Sequence, residues 1–134
     1  MNRYVVDTHA LLWYLSRSKR LSRKAHSIFL RAHDGHEQVI VPSIVLIEAV
    51  FLMQRERIEG HITQILLDLP EDPQAGIYVY PLNLAIARVV KDFGPEAIPE
   101  MPDRIIAATA RHLDLPLLTA DTTIHNSKMV YAVW

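Results

Sequence analysis

Residues 3–16 read RYVVDTHALLWYLS. The first five form a short β-branched and aromatic run that ends on an acid, Asp7; the rest carries helical apolar spacing at Leu11, Leu12 and Leu15. A strand passes directly into a helix, with an aspartate at the junction. The same alternation runs outward along the chain. SRKAHSIFLRAH (22–33) reads as a second helix, stopped by the turn signal Asp34-Gly35. QVIVP (38–42) is strand-like, and Pro42-Ser43 opens an apolar helix, IVLIEAVFLMQRER (44–57), with Ser43 as its expected N-cap. HITQILLDL (61–69) is a further helix closed by PEDP, IYVYPL (77–82) a third strand, and LAIARVVKDF (84–93) a helix ended by Gly94-Pro95. PEAIPEM (95–101) is a proline-rich connection, and PDRIIAATARHL (102–113) is the last long helix, with Pro102 suited to its first turn. LPLLTAD and VYAVW read as final strands around a short helix or loop. Strands alternating with helices predict an α/β fold whose mostly parallel central sheet is covered on both faces.

The 134 residues suit one domain with a substantial core. Half of them are apolar and 22% are charged, a balance that argues against a disordered chain. No apolar run approaches the roughly 20 residues of a membrane span, and no signal-peptide pattern opens the chain. The absence of cysteine excludes disulfides and thiolate metal sites and accords with a reducing compartment, so the expected location is the cytoplasm. Four unclustered glycines argue against a phosphate-cradling glycine loop. The net charge of −1 hides an asymmetry: residues 1–33 hold seven of the fourteen Lys and Arg against the single acid Asp7. The run RSKRLSRK is either a solvated face or a basic edge for a polyanion.

Ile44–Met53 reads IVLIEAVFLM, in which Glu48 is the only residue that is not apolar. Its helical neighbours Ile44, Val45, Phe51 and Leu52 are all apolar, which predicts a carboxylate inside a buried stripe, where an unpaired charge is costly. An Arg partner or a route to water would relieve it; so would a bound divalent cation. Asp103 precedes Ala107 and Ala110 on one row of its helix and so stands at the end of a core-facing stripe, although a first-turn Asp also suits the helix dipole. Asp7 and Asp121 each follow a strand, where a capping role is common. In open α/β sheets, however, sites form outside the carboxyl ends of the strands. Four carboxylates brought to one such place would repel one another unless a proton or a divalent cation neutralised them. Hard cations with oxygen ligands suit phosphate chemistry.

The combination DTHALLW, SIVLIEAV and PDRIIAATARHLDLPLLTAD resembles the PIN domain, most closely the VapC-like toxins of bacterial toxin–antitoxin pairs, across essentially the whole chain. The resemblance implies a three-layer α/β/α PIN-like fold and a Mg²⁺- or Mn²⁺-dependent ribonuclease that hydrolyses RNA with water as the nucleophile. It assigns Asp7, Glu48, Asp103 and Asp121 to the catalytic metal site and gives Thr119 a bracing role beside Asp121. Many relatives carry Ser or Asn where this chain has His9. The family also implies a small antitoxin covering the site and frequent homodimerisation.

Other readings are weaker. His33, Asp34, His36 and Glu37 can be drawn as a zinc cluster, but HDGHE spans a turn and lacks helical ligand spacing. Trp13, Tyr14 and Phe51 could stack bases, yet aromatics at helical spacing more often serve the core or a partner interface. Arg17, Lys19, Arg20, Arg104 and Lys128, together with the rest of the basic run to Lys24, are candidate phosphate contacts. The rivals to a ribonuclease are a catalytically silent PIN-like binding module and a metal phosphohydrolase of small esters.

Overall fold

The computed structural model describes residues 1–134 apart from Pro73 and Ala75. The stretch that opens the chain folds as its pattern predicts: strand β1 (Asn2–Val6), Asp7, then helix α1 (Thr8–Leu15). Helix α2 (Arg23–His33) follows, capped by the Ser22 hydroxyl, which accepts from the Ala25 N–H at 3.0 Å. Strand β2 (Glu37–Pro42) leads into α3 (Ser43–Gln54) and α4 (Gly60–Asp68), then a short 3₁₀ turn. The PEDP stretch expected to close α4 reaches Pro73, outside the described residues. Strand β3 (Ile77–Tyr80), α5 (Leu84–Val90), α6 (Met101–Leu113), β4 (Leu117–Leu118), α7 (Thr122–Ser127) and β5 (Ala132–Val133) complete the described elements.

The five strands form one all-parallel sheet in the order β3-β2-β1-β4-β5. Neighbouring strand residues point to opposite faces. Val5 and Val6 are both fully buried, as are Val39 and Val41 with Ile40 between them, so helices must cover both faces. Helix α2 packs on β2 and α6 on β1, which gives the helix–sheet–helix layering. The chain steps from β1 outward to β2 and β3, then returns to place β4 on the other side of β1. That reversal makes the carboxyl ends of β1 and β4 the topological switch point, where such sheets open a crevice.

Three local expectations are corrected. Ser43 is the first residue of α3 rather than its cap: Pro42 holds the cap position, and the Ser43 hydroxyl accepts from the Leu82 N–H at 3.0 Å. Helix α3 ends at Gln54, because Glu56 turns left-handed (φ 58°) and the Arg57 N–H bonds back to the Leu52 carbonyl at 2.8 Å. Helix α5 stops at Val90, where the amides of Asp92 and Phe93 bond three residues back and buried Phe93 pins the turn. The burial of α3 also differs. Only Val45 and Ala49 are buried on it, whereas Ile47 and Phe51 are 52% and 56% exposed. A helix that is apolar all round has no stripe from which its buried face can be read.

Candidate metal and nucleic-acid site

Asp7 follows β1 and is 7% exposed. Its Oδ1 accepts from the Ala10 N–H at 2.9 Å, capping α1, and its Oδ2 accepts from the Thr119 hydroxyl. Thr119, fully buried just past β4, also accepts from the Asp121 N–H at 3.0 Å. One hydroxyl thus ties the acid after β1 to the turn that carries the acid after β4. Asp121 in turn caps α7 by accepting from the Ile124 N–H at 3.1 Å. The capping roles of Asp7 and Asp121 are therefore real, and each cap fixes one carboxylate at the switch point.

Glu48 is half-buried, not enclosed, and it accepts a hydrogen bond from the Thr8 hydroxyl. Among the described residues no cation stands within salt-bridge distance of it. Asp103 is half-buried in the first turn of α6, ahead of fully buried Ala107 and Ala110. Asp7, Glu48, Asp103 and Asp121 line one cavity of about 450 Å³, together with Glu100. Thr8, His9, Trp13 and Arg20 complete its polar wall.

The electrostatics follow from this crowding. Burial raises the Asp7 carboxyl above its usual range, against the opposing pull of the Thr119 and Ala10 hydrogen bonds. Asp103 is pushed up to about 7, first by desolvation and then by the charges of Asp121, Glu48, Asp7 and Glu100. Among the described residues no three His, Asp or Glu side chains converge into a ready ligand group. The acids surround a space instead of meeting at a point, as mutually repelling carboxylates should. The donor chemistry fits a hard divalent cation: the lining ligands are carboxylate and hydroxyl oxygens, with His9 the sole imidazole.

The candidate phosphate contacts separate in space. Arg20 lines the acidic cavity, and it also lines a larger groove of about 690 Å³ beside it, as do Arg17, Arg57 and His61. Lys19 borders a neighbouring recess with Tyr14 and His26. Arg104 directs its guanidinium to the carbonyls of Ile98 and Pro99, and exposed Lys128 ends α7 in a left-handed conformation. In the HDGHE stretch, buried Glu37 pairs with Arg31 at 3.1 Å, which leaves that carboxylate serving β2 and α2 at the far end of the sheet.

Thr8 and Glu100 also line the cavity, and no sequence pattern singles them out. Thr8 directly follows Asp7 in the sequence, and Glu100 lies in the extended cap position before α6, within the proline-rich connection, where no periodicity marks it. What the chain could not display was the partnership of Thr119 with Asp7, across 112 positions.

Among solved structures, VapBC2 from Rickettsia felis bound to a DNA fragment from their promoter matches with a TM-score of 0.71 at 14% identity, covering 98% of this chain and 97% of that one. FitAcB from Neisseria gonorrhoeae matches with a TM-score of 0.65 at 18% identity, over 98% and 96% of the two chains. FitAB bound to an IR36 DNA fragment matches at 0.64 and 20%, over 97% and 93%. At such identities the likeness is one of fold. No curated protein sequence matches the chain. The PIN domain family model matches residues 4–128, a span that runs from β1 to the end of α7 and takes in all four acids at the switch point; the chain belongs to the PIN domain family.

Proposed function

We propose that this protein is a Mg²⁺- or Mn²⁺-dependent endoribonuclease, the toxin of a toxin–antitoxin pair acting in the cytoplasm. The observation that carries the reading is the cavity at the switch point, which acids from four separate parts of the chain line without a salt-bridging cation among the described residues. Asp7, Glu48, Asp103 and Asp121 would hold the metal, which when bound supplies Lewis-acid activation of water and neutralises charge at the phosphate. The protein's own contribution is positioning. The Thr119 hydroxyl and the Ala10 N–H fix the Asp7 carboxylate, and Thr8 fixes Glu48. Arg20, on the cavity wall, is placed to take a phosphate oxygen.

A polymer suits the site better than a small ester, because the acidic cavity adjoins a larger groove lined by three arginines, Arg17, Arg20 and Arg57. Pairing with an antitoxin is supported by the structural relatives solved as VapBC2 and FitAB assemblies on DNA. Exposed Ile47, Phe51, Leu82 and Leu84 support contact with a protein, including a second copy of this chain; the Leu82–Ser43 bond sets Leu82 beside the start of α3.

The decisive experiment incubates the protein with RNA and with a small phosphodiester, in Mg²⁺ or Mn²⁺ and in EDTA. Metal-dependent cleavage of RNA, leaving 5′-phosphate and 3′-hydroxyl ends, is expected. A 2′,3′-cyclic phosphate would overturn the mechanism, cleavage of the small ester alone would favour a phosphohydrolase, and inertness towards both would favour a binding module.

A further inference from the structure

Every polar atom of Thr119 is bonded, and the acids after β1 and β4 both depend on it. Its N–H donates to the Val133 carbonyl at 3.0 Å, its hydroxyl donates to Asp7 and accepts from the Asp121 N–H, and its carbonyl meets His125 Nε2 at 2.7 Å. A carbonyl can only accept, so Nε2 carries the hydrogen and donates it. The bond to Val133 continues the sheet, and the hydroxyl bonds belong to the acids. The bond from His125 has another origin. Strand β4 ends at Leu118, and among the described residues no backbone N–H bonds to the Thr119 carbonyl. An imidazole from α7 takes that place. His125 is half-buried and does not line the acidic cavity, so it reaches the acids only through Thr119.

These bonds close a small ring. Asp121 caps α7 by accepting from the Ile124 N–H at 3.1 Å, and the next residue of the helix, His125, returns to the carbonyl two positions before Asp121. The turn from Thr119 to Asp121 is thereby held at both ends. Thr119 is fully buried, so without the imidazole its carbonyl would be stranded away from water. The peptide after it would have to rotate to find another partner, and that rotation moves the Asp121 N–H off the Thr119 hydroxyl. Ligand sets work only when their donors are held to within about 0.5 Å of the productive geometry. We infer that His125 is a positioning residue of the acidic site: by holding the Thr119 carbonyl it fixes the turn that orients Asp7 and Asp121 towards a divalent cation. The cation rests on the metal-dependent reading above, whereas the chain of bonds from His125 to the two carboxylates stands without it.

The test uses two variants that differ in reach. His125→Gln brings an amide N–H close to where Nε2 stands, whereas the amide of His125→Asn is one methylene too short. Mn²⁺ binding to the whole protein, without RNA, is read from the loss of the free-ion paramagnetic resonance signal, with circular dichroism to establish the fold. His125→Asn should bind Mn²⁺ about tenfold more weakly than the unaltered protein, the scale on which loss of a group behind a metal ligand is felt. His125→Gln should recover most of that affinity. With RNA present, the Mn²⁺ concentration giving half-maximal cleavage should rise by the same factor in His125→Asn while KM for RNA changes little, because His125 stands outside the cavity wall. Unchanged Mn²⁺ affinity in folded His125→Asn, or equal weakening in both variants, overturns the positioning role and leaves the nuclease standing. Failure of both variants to fold assigns the imidazole to the scaffold and overturns it as well. Mn²⁺ binding that depends on His125 in this way, without any cleavage of RNA, upholds the positioning role and overturns the nuclease. Absence of Mn²⁺ binding by the unaltered protein overturns the metal site and the positioning role together.

Discussion

Glu48 is the residue whose environment decides between a site and a scaffold. Its carboxylate is half in solvent, accepts from Thr8 and faces Asp103 across the cavity, so its charge adds to a repulsion and neutralises nothing. Glu48→Gln keeps the shape and the acceptor oxygen for Thr8 while removing the charge. RNA cleavage should fall by about 100-fold or more, the scale of losing one preorganised electrostatic group. Melting temperature in EDTA should hold or rise, because like charges have been thinned. A fall in melting temperature with cleavage retained would identify Glu48 as part of a structural pair and remove it from the site. The Thr8 contact also explains how an acid is tolerated in so apolar a helix: the hydroxyl and the open cavity provide the polar surroundings that Ile44, Val45 and Leu52 cannot.

At the scale of elements, close approach of backbone matters as much as apolar pattern. Gly76, just before β3, has φ +69°, and a Cβ there would sit 2.1 Å from the Ala32 carbonyl oxygen in α2. Gly76→Ala combines left-handed strain with a collision against helix backbone and should cost about 2–4 kcal/mol in denaturant unfolding. An unchanged midpoint would mean that α2 and β3 can separate freely. Such constraints mark what a chain shows of itself. Strand–acid–helix at residues 3–16 and the run of elements after it were readable because period and punctuation are local properties. The ends of α3 and α5 were not, since they depend on a left-handed Glu56 and on three-residue turn bonds around Phe93. The exposed side of α3 was hidden for another reason: with nearly every position apolar, only packing against α1, α4 and α6 selects Val45 and Ala49 as its buried row. The acids themselves were visible one by one, but Glu100 and the Thr119 bridge gained meaning only from the fold.

For the whole molecule, the crowded acids of the cavity link stability to protons. The Asp103 carboxyl stands at about 7 when folded against 3.8 in the ordinary case, so the native state binds more protons than the unfolded one across that window. Stability of the metal-free protein should therefore decline as pH rises from about 4 through 7, with burial of Asp7 pulling the same way. Saturating Mg²⁺ or Mn²⁺ should raise the melting temperature most at the alkaline end, where the carboxylates are charged, since a ligand bound only by the folded state stabilises it by mass action. Thermal scans at several pH values in EDTA and in metal check both points. A pH-independent melting temperature, or no response to metal at pH 8, would refute a preorganised acidic site.

The bond between Thr119 and Asp7 has a consequence for how the protein is made. The ribosome delivers Asp7 well before Thr119 and Asp121, with 112 positions between Asp7 and Thr119. Until β4 docks beside β1, the first acid lacks the hydroxyl that orients it, and the fourth acid has not yet joined the cavity. A chain interrupted before β4 therefore lacks the bond that orients its first acid, and the four-acid cavity can assemble only once that part of the sheet has been translated.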